Sequence, residues 1–298
     1  MAANTRDIRR RIKSVKNTAQ ITKAMQMVAA SKMRKAQLAA IASRPYAQEL
    51  SRLLLPFSNA VNEDESLVHP LMATKAEGKD LVLLISTDKG LCGALNTNIL
   101  REVSRFAPET TEFVCVGKKG VQFLARAKRT VLADFHLKDS FLFHEAKEVA
   151  KFCIERFAQG DIKRILVLYT HYVNTLVQAP SERVVVPVQS FEVGHAELGH
   201  DNEKSDTAVT AEVPEYVLEP NAHDFLGSLL PHFVCYKIFH LILEARASEH
   251  SSRMVAMKNA TDNAKQLIKD LTLEYNKIRQ ASITTEILEI ASAQMILS

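Results

Sequence analysis

Three stretches bring together residue types that perform chemistry in other proteins. Ser86 to Asn98, STDKGLCGALNTN, sets Gly90 and Gly93 behind an apolar run, where a turn between strand and helix presents backbone N–H groups to a phosphate. The spacing is only G-x-x-G. Neither GxGxxG nor a phosphate loop is present, so the stretch is predicted to be a tight turn with a capped helix. GKKG, Gly117 to Gly120, fails the same test, and its lysines read as solvated turn residues. Among ten histidines, His195 and His200 in HAELGH and the His144–Glu145 pair lack a ligand set with ordinary metal spacing. His250 and Ser252 are neighbours on a helix without an orienting third group. Cys92, Cys115, Cys153 and Cys235 are scattered, with no CxxC pair, which points to a reducing compartment. No catalytic residue, cofactor site or metal site is therefore predicted.

The elements that would position such groups have two textures. Residues 79–191 alternate the apolar runs DLVLLIST, EFVCVGKKG, RTVLADF, RILVLYTHYV and RVVVPVQSF with helix-like stretches such as Leu142 to Ala158. Strands alternating with helices predict an α/β domain on a largely parallel, Rossmann-like sheet. Asn62 to Gly78 reads as a polar linker. Residues 192–219 read as an acidic, turn-rich loop.

Both ends of the chain are helical in pattern. In residues 1–60, apolar positions recur in steps of three and four: Ile8, Ile12, Val15, Ala19, then Ile21, Met25, Val28, then Ala29, Met33, Ala36, Ala40. That is a narrow seam which drifts around the helix. In residues 220–298, Ser248 to Leu297 contains neither Gly nor Pro. The tract after Pro231, about 67 residues, would reach roughly 100 Å as one helix. Its stripe is Ala260, Ala264, Leu267, Leu271, Tyr275 and Ile278. Two long helices at opposite ends of the chain can therefore pair. Seams of Ala and Met, where a dimer zipper prefers Leu and Ile, imply close approach.

Charge is concentrated at one end. Met1 to Gln48 carries 11 Lys or Arg against the single acid Asp7, leaving −6 for the rest of a chain whose formal net charge is +4. Nucleic acid is not the predicted partner, because no aromatic residue precedes Tyr46 for base stacking. A membrane-surface helix is disfavoured by the narrow stripe, and a cleaved targeting peptide by the unbroken periodicity. A solvated basic face opposite an acidic protein partner fits better. FLGSLLPHFVCYKIFHLIL, Phe225 to Leu243, is nearly long enough to span a bilayer, but it contains Pro231, His232, Lys237 and His240 and reads as a buried helix start.

Taken together, the blocks ITKAMQMVAASKMRKAQ (Ile21 to Gln37), STDKGLCGALNTN, LEPNAHDFLGSLLP, ASEHSSRMVAMKNATDNA and YNKIRQASITTEILEI resemble the gamma subunits of rotary F-type ATP synthases, over nearly the whole chain. The chain departs from that pattern at Ala293 and Gln294, where the family signature usually has Gly-Ala. The resemblance implies that the two terminal helices form a long antiparallel coiled coil, with Met25 and Val28 expected near Leu267 to Ile278, and that the chain is a non-catalytic rotor shaft that couples proton flow to ATP synthesis at beta-subunit sites. Implied partners are the alpha and beta subunits of the catalytic ring, the epsilon subunit and the membrane c-ring, with one copy per complex. The implied location is the cytoplasmic face of a bacterial inner membrane. The resemblance also nominates Lys23, Met25, Arg253, Arg279, Gln280, Thr284 and Glu286 as ring-facing residues. A stand-alone coiled-coil scaffold and a nucleotide-binding α/β enzyme are the alternatives.

Overall fold

A computed structural model of the chain describes residues 2–63, 69–138, 141–188 and 222–297. The loop expected over 192–219 lies outside the described residues, as do His195 and His200. Helix α1 (Ala2–Glu63) is followed by β1 (Lys79–Ile85), α2 (Leu95–Glu102), β2 (Thr111–Val116), α3 (Lys118–Arg126), β3 (Val131–Phe135) and α4 (Phe143–Ala158). Strands β4 (Ile162–Tyr172) and β5 (Gln178–Val186) then precede α5 (Ala222–Leu297). The chain divides into two compact units, Met1–Ala29 with Arg253–Ser298, and Ala30–Ser252.

The larger unit is built on a five-stranded sheet of order β3-β2-β1-β4-β5. Strands β1 to β4 are parallel, and β5 returns antiparallel to β4. All five strands arise from the apolar runs read in the sequence. The last run is shifted: β5 begins at Gln178 and ends before Pro187, which has no N–H for the ladder. Its hairpin is set by Asn174, whose side-chain oxygen accepts the N–H groups of Leu176 and Val177 at 2.9 and 2.8 Å.

Parallel strands need cover on both faces, which explains why β1 and β2 are almost continuously apolar. On one face, Leu81, Leu83, Val114 and Val167 pack with Val149, Cys153 and Phe157 of α4 and with Leu50, Leu54, Phe233 and Ile242 of the terminal helices. On the other, Val82, Leu84, Phe113 and Leu168 pack with Ile99 and Leu124 of α2 and α3. The apolar start of α5 is thus core. By length and composition that helix passes the test for a membrane span, yet 67% of its apolar window lies inside the protein. Pro45 and Pro231 both sit inside helices, and Tyr46 and His232, each one residue further on, meet at 2.6 Å. Apolar burial on both sides holds these helices through the lost backbone bond.

In the smaller unit, α1 and α5 run antiparallel. Arg9 donates to the Tyr275 hydroxyl at 2.6 Å and Thr22 Oγ1 meets Thr261 Oγ1 at 2.7 Å, so position rises on one helix as it falls on the other. Ile8, Ile12, Val15, Ala19, Thr22, Gln26 and Ala29 are all buried or half-buried, and so are Met257, Thr261, Ala264, Ile268, Leu271, Tyr275 and Ile278. Steps of four and three alternate strictly in both sets, a heptad seam that does not drift. Ile21, Val28 and Leu267, read as seam residues, are 60%, 54% and 46% exposed. The seam keeps phase through Thr22 and Gln26, which a reading by hydrophobicity alone passes over. The register also corrects the expected pairing. With Thr22 at Thr261, Met25 and Val28 cannot lie near Leu267 to Ile278; that stretch of α5 instead accompanies the α1 turns around Arg9.

Two predictions follow from the sheet. Gly117 has φ +99°, and a Cβ there would lie 2.4 Å from the Ser86 carbonyl oxygen, so Gly117→Ala is expected to cost about 3 kcal/mol in a urea unfolding titration. At the opposite edge of the sheet, Arg164 grips Asp80 through two bonds of 2.8 Å, and Glu112 accepts from Lys79 at 2.8 Å and Arg156 at 3.3 Å. Burial pushes the Asp80 carboxyl up, but Arg164 and Lys163 together outweigh it and hold it below the usual range. The Lys79 hydrogen bond, against burial and with help from Arg156, does the same for Glu112. Both carboxyls thus release protons at lower pH folded than unfolded. Their stabilisation is present above about pH 4, and is lost as pH falls through the depressed folded values. D80N with E112Q should flatten the fall in unfolding midpoint between neutral pH and about pH 3.

Candidate functional site

A doubly wound sheet offers its ligand crevice at the carboxyl ends of the strands, where the strand order reverses, here between β1 and β4. The donors at the start of α3, which follows the neighbouring strand β2, are already used. At the start of α3, the Lys118 N–H donates to Asp88 Oδ1 at 3.0 Å, the Lys119 N–H to the Thr87 carbonyl at 3.0 Å and the Gly120 N–H to Ser86 Oγ at 2.8 Å. The first-turn N–H groups of the helix are therefore met by the protein itself. Ahead of α2, Asn96 bonds Thr87 Oγ1 at 2.8 Å and Cys92 Sγ at 3.3 Å, which closes the GLCG turn on itself. Gly93 takes φ +58° to complete that turn, and Leu91 takes φ +62° with its side chain exposed.

What occupies the crevice is α5. Ser252 Oγ donates to the Cys92 carbonyl, in the turn after β1, at 2.7 Å. Glu244 accepts from His171 Nδ1 and from the Tyr172 N–H at 3.2 Å, at the end of β4. Ser251 Oγ donates to the Thr175 carbonyl at 2.9 Å in the β4–β5 turn. Arg246 Nη2 donates to the Leu137 carbonyl, just after β3, at 2.9 Å, and Nη1 to Glu249 Oε2 at 2.8 Å. Residues 240–251 of α5 are buried without interruption. Polar groups inside such a stretch are costly unless bonded, and each anchor bonds a strand end or loop of the sheet, although Arg246 Nε has no partner among the described residues.

Three of the four anchors, Glu244, Arg246 and Ser251, carry no motif that singles them out in the sequence. Ser252 was read there as lacking an orienting partner; it is a donor to the turn after β1. The available signal was Glu244, Arg246 and Glu249 inside LILEARASEH, charges spaced too closely for one solvated face of an otherwise apolar helix. Among the described residues no group of three His, Cys, Asp or Glu is arranged to hold a metal ion. Burial pushes the Cys115 and Cys153 thiols up to about 12, so neither is a thiolate nucleophile near neutral pH.

The seven residues nominated from the resemblance fall in two places. Lys23 is exposed and Met25 half-buried on α1, and Arg253 is half-buried at the first position of α5 within the smaller unit. Arg279, Gln280, Thr284 and Glu286 are exposed together, beyond the last α1–α5 bond at Tyr275. Thr284 Oγ1 is turned back onto the Gln280 carbonyl at 2.9 Å, and Glu286 accepts from Ser282 at 3.1 Å. The same stretch leaves Ile283, Ile287, Leu288 and Ile290 exposed. Exposed apolar groups so close together are the kind of patch that marks an interaction surface.

Comparison with known proteins places this arrangement. A family model described as ATP synthase matches residues 4–296. The ATP synthase gamma chain of Methylacidiphilum infernorum (isolate V4) is 48% identical over 98% of both chains, and that of Opitutus terrae is 45% identical over 98% of both. Among solved structures, a chain from the Euglena gracilis mitochondrial ATP synthase (OSCP/F1/c-ring, rotational state 3) has the same fold, with a TM-score of 0.67 at 20% identity, covering 100% of this chain and 95% of that one.

With the α3 donors engaged internally and α5 bonded to the turns after β1 and β4, the isolated chain is expected to bind ATP more weakly than about 1 mM, corresponding to less than roughly 4 kcal/mol of binding free energy. Isothermal calorimetry with Mg-ATP tests this. A saturable micromolar isotherm would show that the crevice opens.

Proposed function

The chain belongs to the ATP synthase gamma-chain family, a non-catalytic subunit and the central stalk of the F-type complex, and on that premise we propose that it is the rotor shaft of a proton-translocating enzyme. Proton flow through a membrane rotor ring turns the shaft, and the shaft couples that motion to ATP synthesis at beta-subunit sites. The observation that carries this reading is α5 itself: one helix is anchored at four points in the sheet domain and continues as half of a narrow heptad seam.

Such a rod works by differential contact. Three otherwise equivalent catalytic sites meet different faces of an asymmetric shaft, and each is biased toward a different nucleotide state by the difference in contact free energy. A tight apolar anchor on any one beta subunit would oppose the next step. The outer surface fits this requirement, because Arg6, Arg9, Arg10, Arg11, Lys13, Lys16 and Lys23 are exposed on α1. Solvated charges steer and orient without strong adhesion. The partners are then the alpha and beta subunits around the helix pair, and the epsilon subunit and c-ring at the sheet domain, with one copy of this chain per complex. Lys23, Met25, Arg253, Arg279, Gln280, Thr284 and Glu286 are the ring-facing residues. The complex sits at the cytoplasmic face of a bacterial inner membrane, consistent with bacterial relatives such as Opitutus terrae.

Truncation separates the working contacts from the tip. Removing Ala291 to Ser298 is expected to permit assembly and keep a sizeable share of ATP hydrolysis and ATP-driven proton pumping in membrane vesicles. Removing Arg279 to Ser298 also takes away the Arg279, Gln280, Thr284 and Glu286 set, and is expected to damage coupling far more. Equal loss in the two would place the transmitting contacts in the last eight residues. Pumping that survives both would overturn the rotor reading.

A further inference from the structure

A twist applied to the sheet domain reaches α5 only if the helix cannot roll within its packing. Close-packed apolar side chains resist rolling sterically, but the hydrophobic effect itself is non-directional and sets no preferred angle. Hydrogen bonds are directional and weaken steeply when misaligned. We propose that the four polar anchors of α5 form a torsional key, with Glu244 and Arg246 as its charged members and positioning residues, and that this key carries torque between the sheet and α5. The proposal rests on the rotor reading above.

The anchors surround the helix. At about 100° per residue, Glu244 and Ser251 project to nearly the same side, Ser252 about a quarter turn away, and Arg246 about 200° from Glu244. The groups they meet follow three different strands: Cys92 after β1, Leu137 after β3, and Tyr172 and Thr175 at the end of β4 and beyond. A helix held along one side can roll about that line. Held from opposite sides by loops of one rigid sheet, it pulls against at least one bond in either sense of rotation. Two of the anchors involve ionised groups on α5, and such bonds are about twice as strong as neutral ones.

Arg246 supplies an independent reason to look beyond stability. It is 3% exposed, and its Nε is buried without a hydrogen-bond partner among the described residues. A buried cation with an unmet donor is not the most stable occupant of an apolar environment, where a well-packed apolar side chain does as well or better. Its directional bonds to the Leu137 carbonyl and Glu249 are what an apolar residue would lack.

The test uses the assembled complex with its catalytic ring immobilised and a probe attached to the sheet domain through K151C, on the exposed face of α4. With the rotor stalled, the variance of the probe angle reports the torsional stiffness between sheet and helix. R246M should raise that variance about two-fold, since one of two charge-assisted anchors is lost, and R246K should restore part of the stiffness. E244Q and S252A should give smaller increases, and they decide the matter if R246M fails to assemble. Unchanged variance in variants that assemble and turn overturns the key, even if their melting temperature falls. If the unsubstituted complex does not turn on addition of ATP, the rotor reading itself fails.

Discussion

The constraint on which the rest of the structure depends is that α5 carries Glu244, Arg246 and Glu249 through a stretch buried on every side. Buried charges without partners cost far more than any single packing contact returns. The loops at the carboxyl edge of the sheet supply those partners, and in doing so they fill the crevice where a doubly wound fold would hold a nucleotide. One requirement thus removes a ligand site and creates an attachment. The Rossmann-like layer serves as a mount for a helix.

The seam of the smaller unit follows a different rule. Ala19, Thr22 and Ala29 on α1, with Thr261 and Ala264 on α5, bring the backbones close without the deep apolar knobs of a zipper. The Thr22–Thr261 bond then gives this small-residue stretch a register that size alone would leave loose. Beside this small-residue stretch, Ile21 and Leu267 face outward, while the larger seam residues, Ile8, Ile12, Leu271 and Ile278 among them, lie further toward the chain ends. Closeness and register, more than burial of area, distinguish this pair of helices from a dimerisation coiled coil.

The five strands and the long terminal helices were legible because each depends on local pattern: apolar runs of strand length, a period near 3.5, and long tracts without Gly or Pro; their antiparallel pairing drew on the family resemblance. The register of α1 on α5 was not legible, and it was misread where an isoleucine sits beside the threonine that holds the phase. Hydrophobicity marks a stripe to within one residue, while the seam is set by what the facing helix offers. The nominated ring-facing residues drew on family resemblance, and their exposure at Arg279 to Glu286 came only with the coordinates. The anchoring role of these α5 residues was not legible because their sheet-side partners are mostly backbone groups, the carbonyls of Cys92, Leu137 and Thr175 and the N–H of Tyr172, which no side-chain motif encodes.

The sequence by itself determined the class of fold, the family and the absence of a phosphate-binding motif, since these rest on periodicity, spacing and residue type along one strand of information. Tertiary structure decided which faces of the helices are used, which turn holds which helix, and that the ligand crevice is taken. Those outcomes depend on contacts between residues 72 to 266 apart in the chain, such as Tyr172 with Glu244, Cys92 with Ser252 and Arg9 with Tyr275. Closing loops of that length costs entropy that depends only weakly on which residues are joined. The choice of partner is therefore made by geometry and by the need to satisfy buried polar groups, neither of which exists until the sheet has formed.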